Sequence, residues 1–352
     1  MINQLAASLK EISLAEIENI SYVKLTANKP PWEKTKIQVQ TRQSYTLLAT
    51  GKINWSHRDP ELYGGPGFHL WSRIPGGHIR NVVRNTGTFT ADSSGILELG
   101  VYFGIWANHE GDLEPHSNNY SALSGELEVI SILWKNSPIT GLKKLTLLNN
   151  SVLLKEAFRQ LTHPVQIPTG WDYLNETGVS DIYVSAREGN RPCIKLDASN
   201  DQGILRKPLD FLISESTQLK WDWKLLEHPS RNREDETRSH DYISVAAEFD
   251  NGRDLTWIWS SQLPIDYYFD CPVKSWAKRE THYVIRTGLE EGTEWLHESR
   301  NLFTDVGRSM GFKPKRITAI WLIGVATFQH AKARAEFSNI SLKDGKKSLQ
   351  IL

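Results

Sequence analysis

The chain has 352 residues, which is enough for two domains at the usual size of ~100–200 residues each. Its 41 basic and 41 acidic side chains cancel, so it lacks the charge that attracts nucleic acid or an anionic membrane, and we expect neither partner. Its two cysteines, Cys193 and Cys271, are too few for a disulfide framework, although a single bridge between them stays open.

The N-terminal segment gives no sign of export. It carries no basic start, no continuous apolar stretch and no small-residue cleavage site, which argues against a signal peptide. No stretch approaches the ~18 apolar residues of a membrane span, and the longest apolar run, 317–326, fits a buried strand. We therefore expect a cytoplasmic protein with reduced cysteines.

The first half begins with a short helix and then changes to β-structure. Leu5, Leu9 and Ile12 recur at helical spacing. Further on, alternating apolar and polar residues, separated by turn-forming residues, predict strands over 36–41, 45–53, 87–90, 96–103 and 126–134. A connector with a helix over 152–161 follows. We place a domain boundary near residue 150, which divides the chain into 1–150 and 151–352.

The second half repeats the β-pattern. The alternation predicts strands over 182–186, 193–196, 218–225, 242–249, 255–260, 282–287, 294–300, 317–325 and 333–340. A short helix should follow Thr304, as its N-cap, and end at Gly311. The sequence therefore predicts an all-β protein, built from two β-sandwich or jelly-roll domains with a few short helices.

Three segments of the first half carry a resemblance to a lectin family. TLLATGKINW (46–55), NTGTFTADSSGILELGVYFG (85–104) and SGELEVISILW (124–134) resemble the small calcium-dependent galactose-binding lectins of bacteria. The resemblance implies a β-sandwich that holds calcium through a Tyr, an Asn-Asp pair and an Asn-Asn-Ser-Gly loop. It covers roughly 32–134.

The calcium residues of those lectins are only partly present. Trp55 stands near the position of the Tyr, Gly104 stands where the central carboxylate would be, and Asn118-Asn119 is separated from Ser124-Gly125 by extra residues. Calcium takes six to eight oxygen ligands that include carboxylates. We therefore expect neither calcium nor galactose to bind tightly, while the acidic stretch 108–119 stays open as a substitute site.

The second half resembles a widespread bacterial domain family of unknown function with a jelly-roll fold. The resemblance rests on PTGW (168–171), WDWKLLE (221–227), LTWIWS (255–260) and TEWLHESRNLFTDVGRSMGFKPKRI (293–317). It implies a fold and no chemistry. The chain departs from the family at His240-Asp241 and at 324–330, two polar places.

The build of the chain suggests one more resemblance. Its tryptophan content and lack of a signal peptide resemble the cytoplasmic, cofactor-free β-sandwich proteins of cyanobacterial pigment pathways, such as the cyclase of scytonemin biosynthesis. This resemblance implies cyclisation of an aromatic substrate through a new carbon–carbon bond, with or without loss of a carboxylate.

Motifs of several large enzyme classes are missing. The sequence contains no GxSxG elbow, phosphate-binding P-loop, HExxH or paired CxxC motif, which excludes typical hydrolases, NTPases and zinc proteases. We expect no cofactor and no metal. The chemistry that remains is proton transfer by carboxylates and histidines.

The strand over 242–249 supplies the candidate catalytic residues. Because side chains alternate along a strand, Tyr242, Ser244, Ala246 and Glu248 share one face. Glu248 is the candidate general acid or base, with a pKa raised by burial among tryptophans, and His240 is the candidate proton shuttle. The alternatives are an ion-paired or solvent-facing Glu248 and an ordinary loop histidine.

Substrate contacts are predicted on neighbouring segments. Arg300 is a candidate grip for a substrate carboxylate, with Glu298 on the same strand face; a structural salt bridge is the alternative. The charged stretch 227–241 is either a solvated loop or a lid. The residues predicted to contact a planar substrate are Trp223, Tyr242, Trp257 and Trp259.

Two functions stay open at this point. The first is a cofactor-free acid–base enzyme that acts on an aromatic small molecule. The second is a carbohydrate-binding, lectin-like protein without catalysis. The oligomeric state is open as well, with a homodimer as one option.

Overall fold

The computed structural model describes residues 2–352, except 13, 30, 57–58, 104–105, 114–116, 175–176, 237–239, 241, 274–275, 290–291 and 293; for 117–119 it describes the backbone alone. The chain forms two compact units. The first comprises Met1–Val165 with Gly178–Asp181, and the second comprises Gln166–Thr177 with Ile182–Leu352. Strands hold 48% of the residues and helices 15%, so the predicted all-β class is confirmed.

The first unit contains nine strands, four short helices and one 3-10 turn among its described residues. In chain order they are α1 (Ile2–Glu11), β1 (Ile17–Thr26), β2 (Trp32–Val39), β3 (Ser44–Asn54), β4 (Tyr63–Gly64), α2 (Pro66–His69), β5 (Leu70–Arg73), β6 (Arg80–Asn81), β7 (Thr86–Thr90), β8 (Gly95–Val101), the 3-10 turn (Ser117–Ala122), β9 (Ser124–Trp134), α3 (Pro138–Leu148) and α4 (Val152–Thr162).

These strands form a sandwich of two sheets. One sheet has the order β1-β9-β3-β4 with β7 paired to β3, and the other has the order β2-β8-β5-β6. The hydroxyls of Tyr45 and Ser72 meet across the interior at 3.1 Å. Gly51 on β3 has a φ of +110°, and a Cβ there would lie 2.2 Å from the carbonyl oxygen of Glu126, so this position needs glycine.

Three helices cover the outer face of the larger sheet. Leu9 of α1, Leu142 of α3 and Leu154 of α4 are fully buried in one cluster with Trp134 of β9. Gly141 makes the close approach of α3 possible, because a Cβ there would lie 2.2 Å from the Trp134 ring. The sequence placed a boundary near 150, before α4, whereas the burial of this helix assigns it to the first unit.

Among its described residues, the second unit contains the remaining strands and one helix. They are β10 (Asp172–Tyr173), β11 (Tyr183–Glu188), β12 (Arg191–Ser199), β13 (Gln202–Leu212), β14 (Gln218–Glu227), β15 (Ile243–Phe249), β16 (Asp254–Ser260), β17 (Tyr268–Asp270), β18 (Glu280–Thr287), β19 (Leu296–Asn301), α5 (Leu302–Met310), β20 (Arg316–Val325), β21 (Lys332–Asp344) and β22 (Lys347–Gln350).

The second unit is also a sandwich. Its seven-stranded sheet has the order β10-β13-β20-β15-β16-β18-β17, and its six-stranded sheet has the order β11-β12-β21-β14-β19 with β22 paired to β21. Strands β16 and β18 pair in parallel. Apolar residues of both sheets, among them Trp221, Val245 and Leu322, form one buried core. The second unit therefore buries a core of its own.

Helix α5 begins earlier than its sequence suggested. Its N-cap is Asn301, whose side chain accepts a hydrogen bond from the Thr304 amide at 2.8 Å, so the predicted cap Thr304 lies inside the first turn. The helix ends at Gly311 as expected, with a φ of +70°. In the described part of the chain, no helix has the length and apolarity to cross a membrane.

Limited proteolysis with proteinase K should cut the chain within 163–167 and leave 149–151 intact. Residues 163–167 form no helix or strand and are mostly exposed, whereas α4 is anchored through buried Leu154 and Ala157. Intact-mass analysis locates the cut. Fragments that begin at 150–152 would contradict the assignment of α4 to the first unit.

Candidate functional site

Strand β15 turns one face to the core and the other to the outside of the seven-stranded sheet. Val245 and Ala247 lie in the core between the sheets, while Ala246 packs in a separate cluster with Trp321 on the outer side. Glu248 belongs to this outer side, since the Trp321 indole donates to its carboxylate at 3.1 Å. The face on which the sequence placed its catalytic residues is therefore the outer face of the sheet.

Three carboxylates stand side by side on this outer face. Glu248 of β15 pairs in register with Asp254 of β16, and Asp254 pairs in register with Glu280 of β18. Asp254 is 0% exposed and Glu280 is 4% exposed. We call these three residues the carboxylate row. It places negative charge on neighbouring strands, where burial makes charge costly.

A second row of residues lies two positions away along β15, β16 and β18 and continues onto β20 and β13. Arg206 pairs with Trp321, Ala246 lies beside Trp321, and Thr256 pairs with both Ala246 and His282. The Thr256 hydroxyl donates to Asp254 at 3.2 Å, and His282 Nε2 lies 3.7 Å from Glu280 Oε2. Polar groups of the second row thus contact the carboxylate row.

Glu248 is held as an ionised carboxylate. The Arg206 guanidinium donates to both of its oxygens, at 2.8 and 3.3 Å. Burial acts to raise the pKa of Glu248, but the hydrogen bonds and charge of Arg206, with the Trp321 indole, outweigh it and hold the pKa below its ordinary value. The predicted raised pKa is wrong, because the sequence did not place Arg206 beside this carboxylate.

Arg279 is the second cation of the face. Its Nε lies 3.7 Å from Asp254, and its guanidinium lies over Trp276 at 4.7 Å and near Trp321 at 5.4 Å. The side chains of Arg206 and Arg279 are 29% and 26% exposed, whereas that of Asp254 is 0% exposed. A molecule that arrives from solvent would therefore meet the two arginines before the buried carboxylates.

His240 lies beside a cysteine at one end of the face. Its Nε2 is 3.3 Å from Cys271 Sγ, and one donor atom each of His240, Cys271 and Glu280 lie within 4.8 Å of one another. All three side chains are buried. A thiol, an imidazole and a carboxylate at this separation can hold a metal ion. We expected no metal from the sequence, which contains no indication that these three residues lie together.

Strand β17 and its hairpin bring the three donors together. Cys271 follows β17, and its amide donates to the carbonyl of Glu280, the first residue of β18, at 3.2 Å. His240 precedes β15. The His282 ring stacks on Phe269 at 4.9 Å and contacts the His240 ring at 4.6 Å. Both cysteines are free thiols, so the bridge to Cys193 is not formed.

The tryptophans predicted to stack on a substrate belong to the core instead. Trp223 and Trp257 are 0% exposed and Trp259 is 7% exposed, all in the cluster between the sheets. The Trp223 indole donates to Glu298 and the Trp257 indole donates to Asp305, each at 2.9 Å. These residues alternate with Asp254 and Thr256 or lie on the opposite sheet, so they cannot reach the carboxylate row.

Arg300 and Glu298 have structural partners as well. Arg300 donates to both carboxylate oxygens of Asp305 at 2.7 and 2.8 Å, while Glu298 accepts from Arg286 at 2.7 Å. The two therefore do not pair with each other. Both side chains therefore have structural partners, which favours the salt-bridge alternative over the predicted role of Arg300 as a substrate grip, although the partner of Arg300 is Asp305 and not Glu298.

Tyr242 and the charged stretch 227–241 lie near the start of β15. Tyr242 is 1% exposed and contacts the His228 ring at 5.3 Å. Glu234 is buried and accepts from the Ser261 amide at 2.7 Å, which anchors part of the stretch. Residues 237–239 and 241, including the Asp241 singled out in the sequence, lie outside the described residues.

The lectin-like positions of the first unit are described only in part. Trp55 is buried and its indole donates to His69 Nε2 at 3.0 Å. Burial lowers the pKa of His69 to about 4, so this ring is neutral and can accept. Gly104 and the side chains of Asn118 and Asn119 lie outside the described residues. The calcium expectation therefore stays a prediction.

Residues 170–341 match a protein family described as Protein of unknown function (DUF3047), which confirms the predicted resemblance for this part of the chain. No curated protein matches the sequence.

Solved structures give weaker likenesses. The EclA N-terminal domain, a PllA-like lectin, has 17% identity and a TM-score of 0.27 over 33% of this chain and 98% of that one. A salicylate 1,2-dioxygenase from Pseudoaminobacter salicylatoxidans, with gentisate adducts, has 8% identity and a TM-score of 0.14 over 98% and 83%. PhpD with cadmium atoms has 7% identity and a TM-score of 0.15 over 93% and 71%. These TM-scores are too low for any inference about the function of this chain, and none of these structures supports a scytonemin cyclase.

Replacement of Asp305 by alanine should destabilise the second unit strongly. It removes the partner of Arg300 and of the Trp257 indole, and loss of one member of a buried ion pair costs about 3–5 kcal/mol. Urea unfolding measures the change. The matched control is Asp210→Ala, whose partner Arg316 is 39% exposed, with an expected effect of about 0–1 kcal/mol. Equal effects would contradict the structural role of Asp305.

The stability difference between wild type and Glu248→Gln should depend on pH in one direction. Because the folded-state pKa of Glu248 is depressed, its ion pair stabilises fully above the ordinary carboxyl pKa near 4.5 and is lost as pH falls through the lower folded value. Urea unfolding from pH 7 to 3 should show a difference of about 1–3 kcal/mol that shrinks below pH 4.5. In an Arg206→Met background burial is no longer outweighed, so the pH dependence should be lost or reversed in sign. In the wild-type background, a difference that grows in acid would refute the depressed pKa.

Proposed function

We propose that the second unit binds a small polar molecule on the outer face of its seven-stranded sheet and performs acid–base chemistry on it. One observation carries the proposal: Glu248, Asp254 and Glu280 occupy adjacent register positions, and two of them are buried. Carboxylates grouped in this way, beside histidine and arginine, are the side chains that transfer protons in enzymes.

The stability cost of burying charged side chains favours a functional reason for the charged groups on this face. Buried charges lower stability unless they are well paired, and apolar residues of similar volume often stabilise a fold as well or better. Glu248 pairs with Arg206 at 2.8 Å, and Arg279 lies 3.7 Å from Asp254. Retention of so many ionisable groups on one sheet face is typical of functional sites.

The groups of the face suggest a division of roles. Glu248, kept ionised by Arg206, is suited to accept hydrogen bonds from substrate hydroxyls. Asp254 and His282 lie deeper and are suited to proton transfer. Trp276 is partly buried beside Arg279 and offers an aromatic surface next to a cation. The substrate class that fits is a small molecule with hydroxyl or carboxylate groups and one apolar or aromatic face.

A cyclisation of an aromatic acid is the narrower form of this proposal. It needs a cation for the carboxylate and an aromatic surface for the ring. On the outer face, Arg279 can bind the carboxylate and Trp276 can contact the ring. They replace Arg300, which pairs with Asp305, and the buried core residues Trp223, Trp257 and Trp259. This form depends on the same carboxylate row.

Carbohydrate binding without turnover is the second candidate. The paired, ionised state of Glu248 favours it, because a carboxylate fixed by arginine is a good acceptor for sugar hydroxyls and a poor proton donor. The same face would then serve recognition alone. The two candidates differ in whether Asp254 moves a proton.

A panel of monosaccharides, uronic acids and aromatic keto acids separates the two candidates. Calorimetry identifies a ligand and mass spectrometry follows its turnover. For an enzyme, Asp254→Asn should lower the rate about 10²–10⁴-fold, the usual worth of general acid–base catalysis, and the more exposed Glu248→Gln should also lower it. For a binding protein, both variants change affinity and wild type shows no turnover.

The matched control is Glu336→Gln. Glu336 is a buried carboxylate of the same unit that pairs with Lys195 on the six-stranded sheet. Its replacement should leave ligand affinity and turnover unchanged. If Glu336→Gln and Asp254→Asn affect them equally while circular dichroism stays native, the proposed site is wrong.

A further inference from the structure

We propose that His240, Cys271 and Glu280 bind a zinc ion. The thiol and imidazole are 3.3 Å apart, and the three donor atoms lie within 4.8 Å of one another. Zinc–ligand bonds of about 2.0–2.3 Å place neighbouring donor atoms about 3–4 Å apart, so small side-chain movements would complete this arrangement.

The chemistry of the donors selects the metal. Cysteine thiolate and imidazole are ligands for zinc and its transition-metal neighbours, whereas calcium and magnesium take oxygen ligands. A thiolate and a carboxylate together supply two negative charges and would neutralise a divalent cation. Charge balance matters here because all three side chains are buried, where net charge is costly.

The surroundings resemble the support that zinc sites require. Backbone bonding fixes two donors: the Cys271 amide donates to the Glu280 carbonyl, and the Glu280 amide donates to the Trp276 carbonyl at 2.9 Å. His282 lies 3.7 Å from the Glu280 carboxylate and stacks on Phe269, so it can orient that ligand. Three protein ligands would leave one coordination position for water or substrate, as in catalytic zinc sites.

A nucleophilic cysteine is the competing interpretation of the same contact. A histidine within reach of a thiol can activate it as a thiolate. The third donor argues for the metal, because Glu280 joins the thiol and the imidazole around a common point. Only the metal site predicts that the protein takes up zinc.

The metal titration tests this inference independently of the proposed acid–base reaction. It requires no substrate, so a failure to find turnover leaves the zinc site unaffected. Conversely, a protein that takes up no zinc could still use Asp254 and Glu248 for the chemistry proposed above.

The experiment titrates the full chain, after treatment with a chelator, with zinc and with cobalt(II). Calorimetry should give one zinc ion per chain, and cobalt should produce a thiolate-to-cobalt charge-transfer band in the near ultraviolet. Cys271→Ser should abolish that band and weaken zinc binding by more than the roughly 10–100-fold that loss of a supporting group causes. His240→Gln should weaken binding similarly while the thiol remains.

The second cysteine supplies the matched control. Cys193 is also buried in this unit, on β12 of the six-stranded sheet, and Cys193→Ser should keep both the band and the affinity. Equal losses in the two cysteine variants would overturn the site. So would cobalt binding to unaltered protein without a thiolate band, a result that does not depend on how well Cys271→Ser folds. Rapid alkylation of Cys271 in a protein that takes up no zinc would overturn it in favour of a nucleophilic cysteine.

Discussion

The register of β15, β16 and β18 is the constraint on which the candidate site depends. Pairing of Glu248 with Asp254, and of Asp254 with Glu280, places the carboxylates in one row on the outer face. Side chains alternate along a strand, so a slip of one residue would send a carboxylate into the core and a tryptophan out of it. Trp257, between Leu255 and Trp259 on the inner face, makes such a slip costly because its indole bonds to Asp305.

Buried polar groups are paired differently between the two sheets and on the outer face of the seven-stranded sheet. Inside the sandwich, each indole of Trp223 and Trp257 has a carboxylate acceptor, and those acceptors are themselves bonded by Arg286 and Arg300. On the outer face, the side chains of Arg206 and Arg279 are partly exposed to solvent. The inner networks therefore lie between the sheets, and the outer one is the network that a solute can approach.

Strand alternation made the fold class and part of the site predictable. It placed Glu248 opposite Val245 and Ala247, as the structure has it. It could not tell which face was the core, because both faces of this sheet are largely buried and Trp occurs on each. The partners of Glu248 and His240 are distant in sequence, whereas Asp305, the partner of Arg300, lies only five residues further on, in α5. Only the tertiary fold brings Arg206 to Glu248 and Cys271 to His240.

Glu280 links the carboxylate row to the cysteine–histidine pair, and this shared residue constrains both proposals. A carboxylate bound to a metal is ionised and cannot also donate a proton. If zinc occupies the site, proton transfer therefore falls to Asp254 of the row or to His282 beside it, neither of which is a metal donor. Asp254 lies 3.7 Å from Arg279 and is the candidate for the role of base. A zinc-bound water would be the matching acid, because the metal lowers the pKa of bound water toward neutrality. The two proposals are thus compatible in one chemical scheme, in which Glu280 binds the metal and Asp254 or His282 transfers the proton.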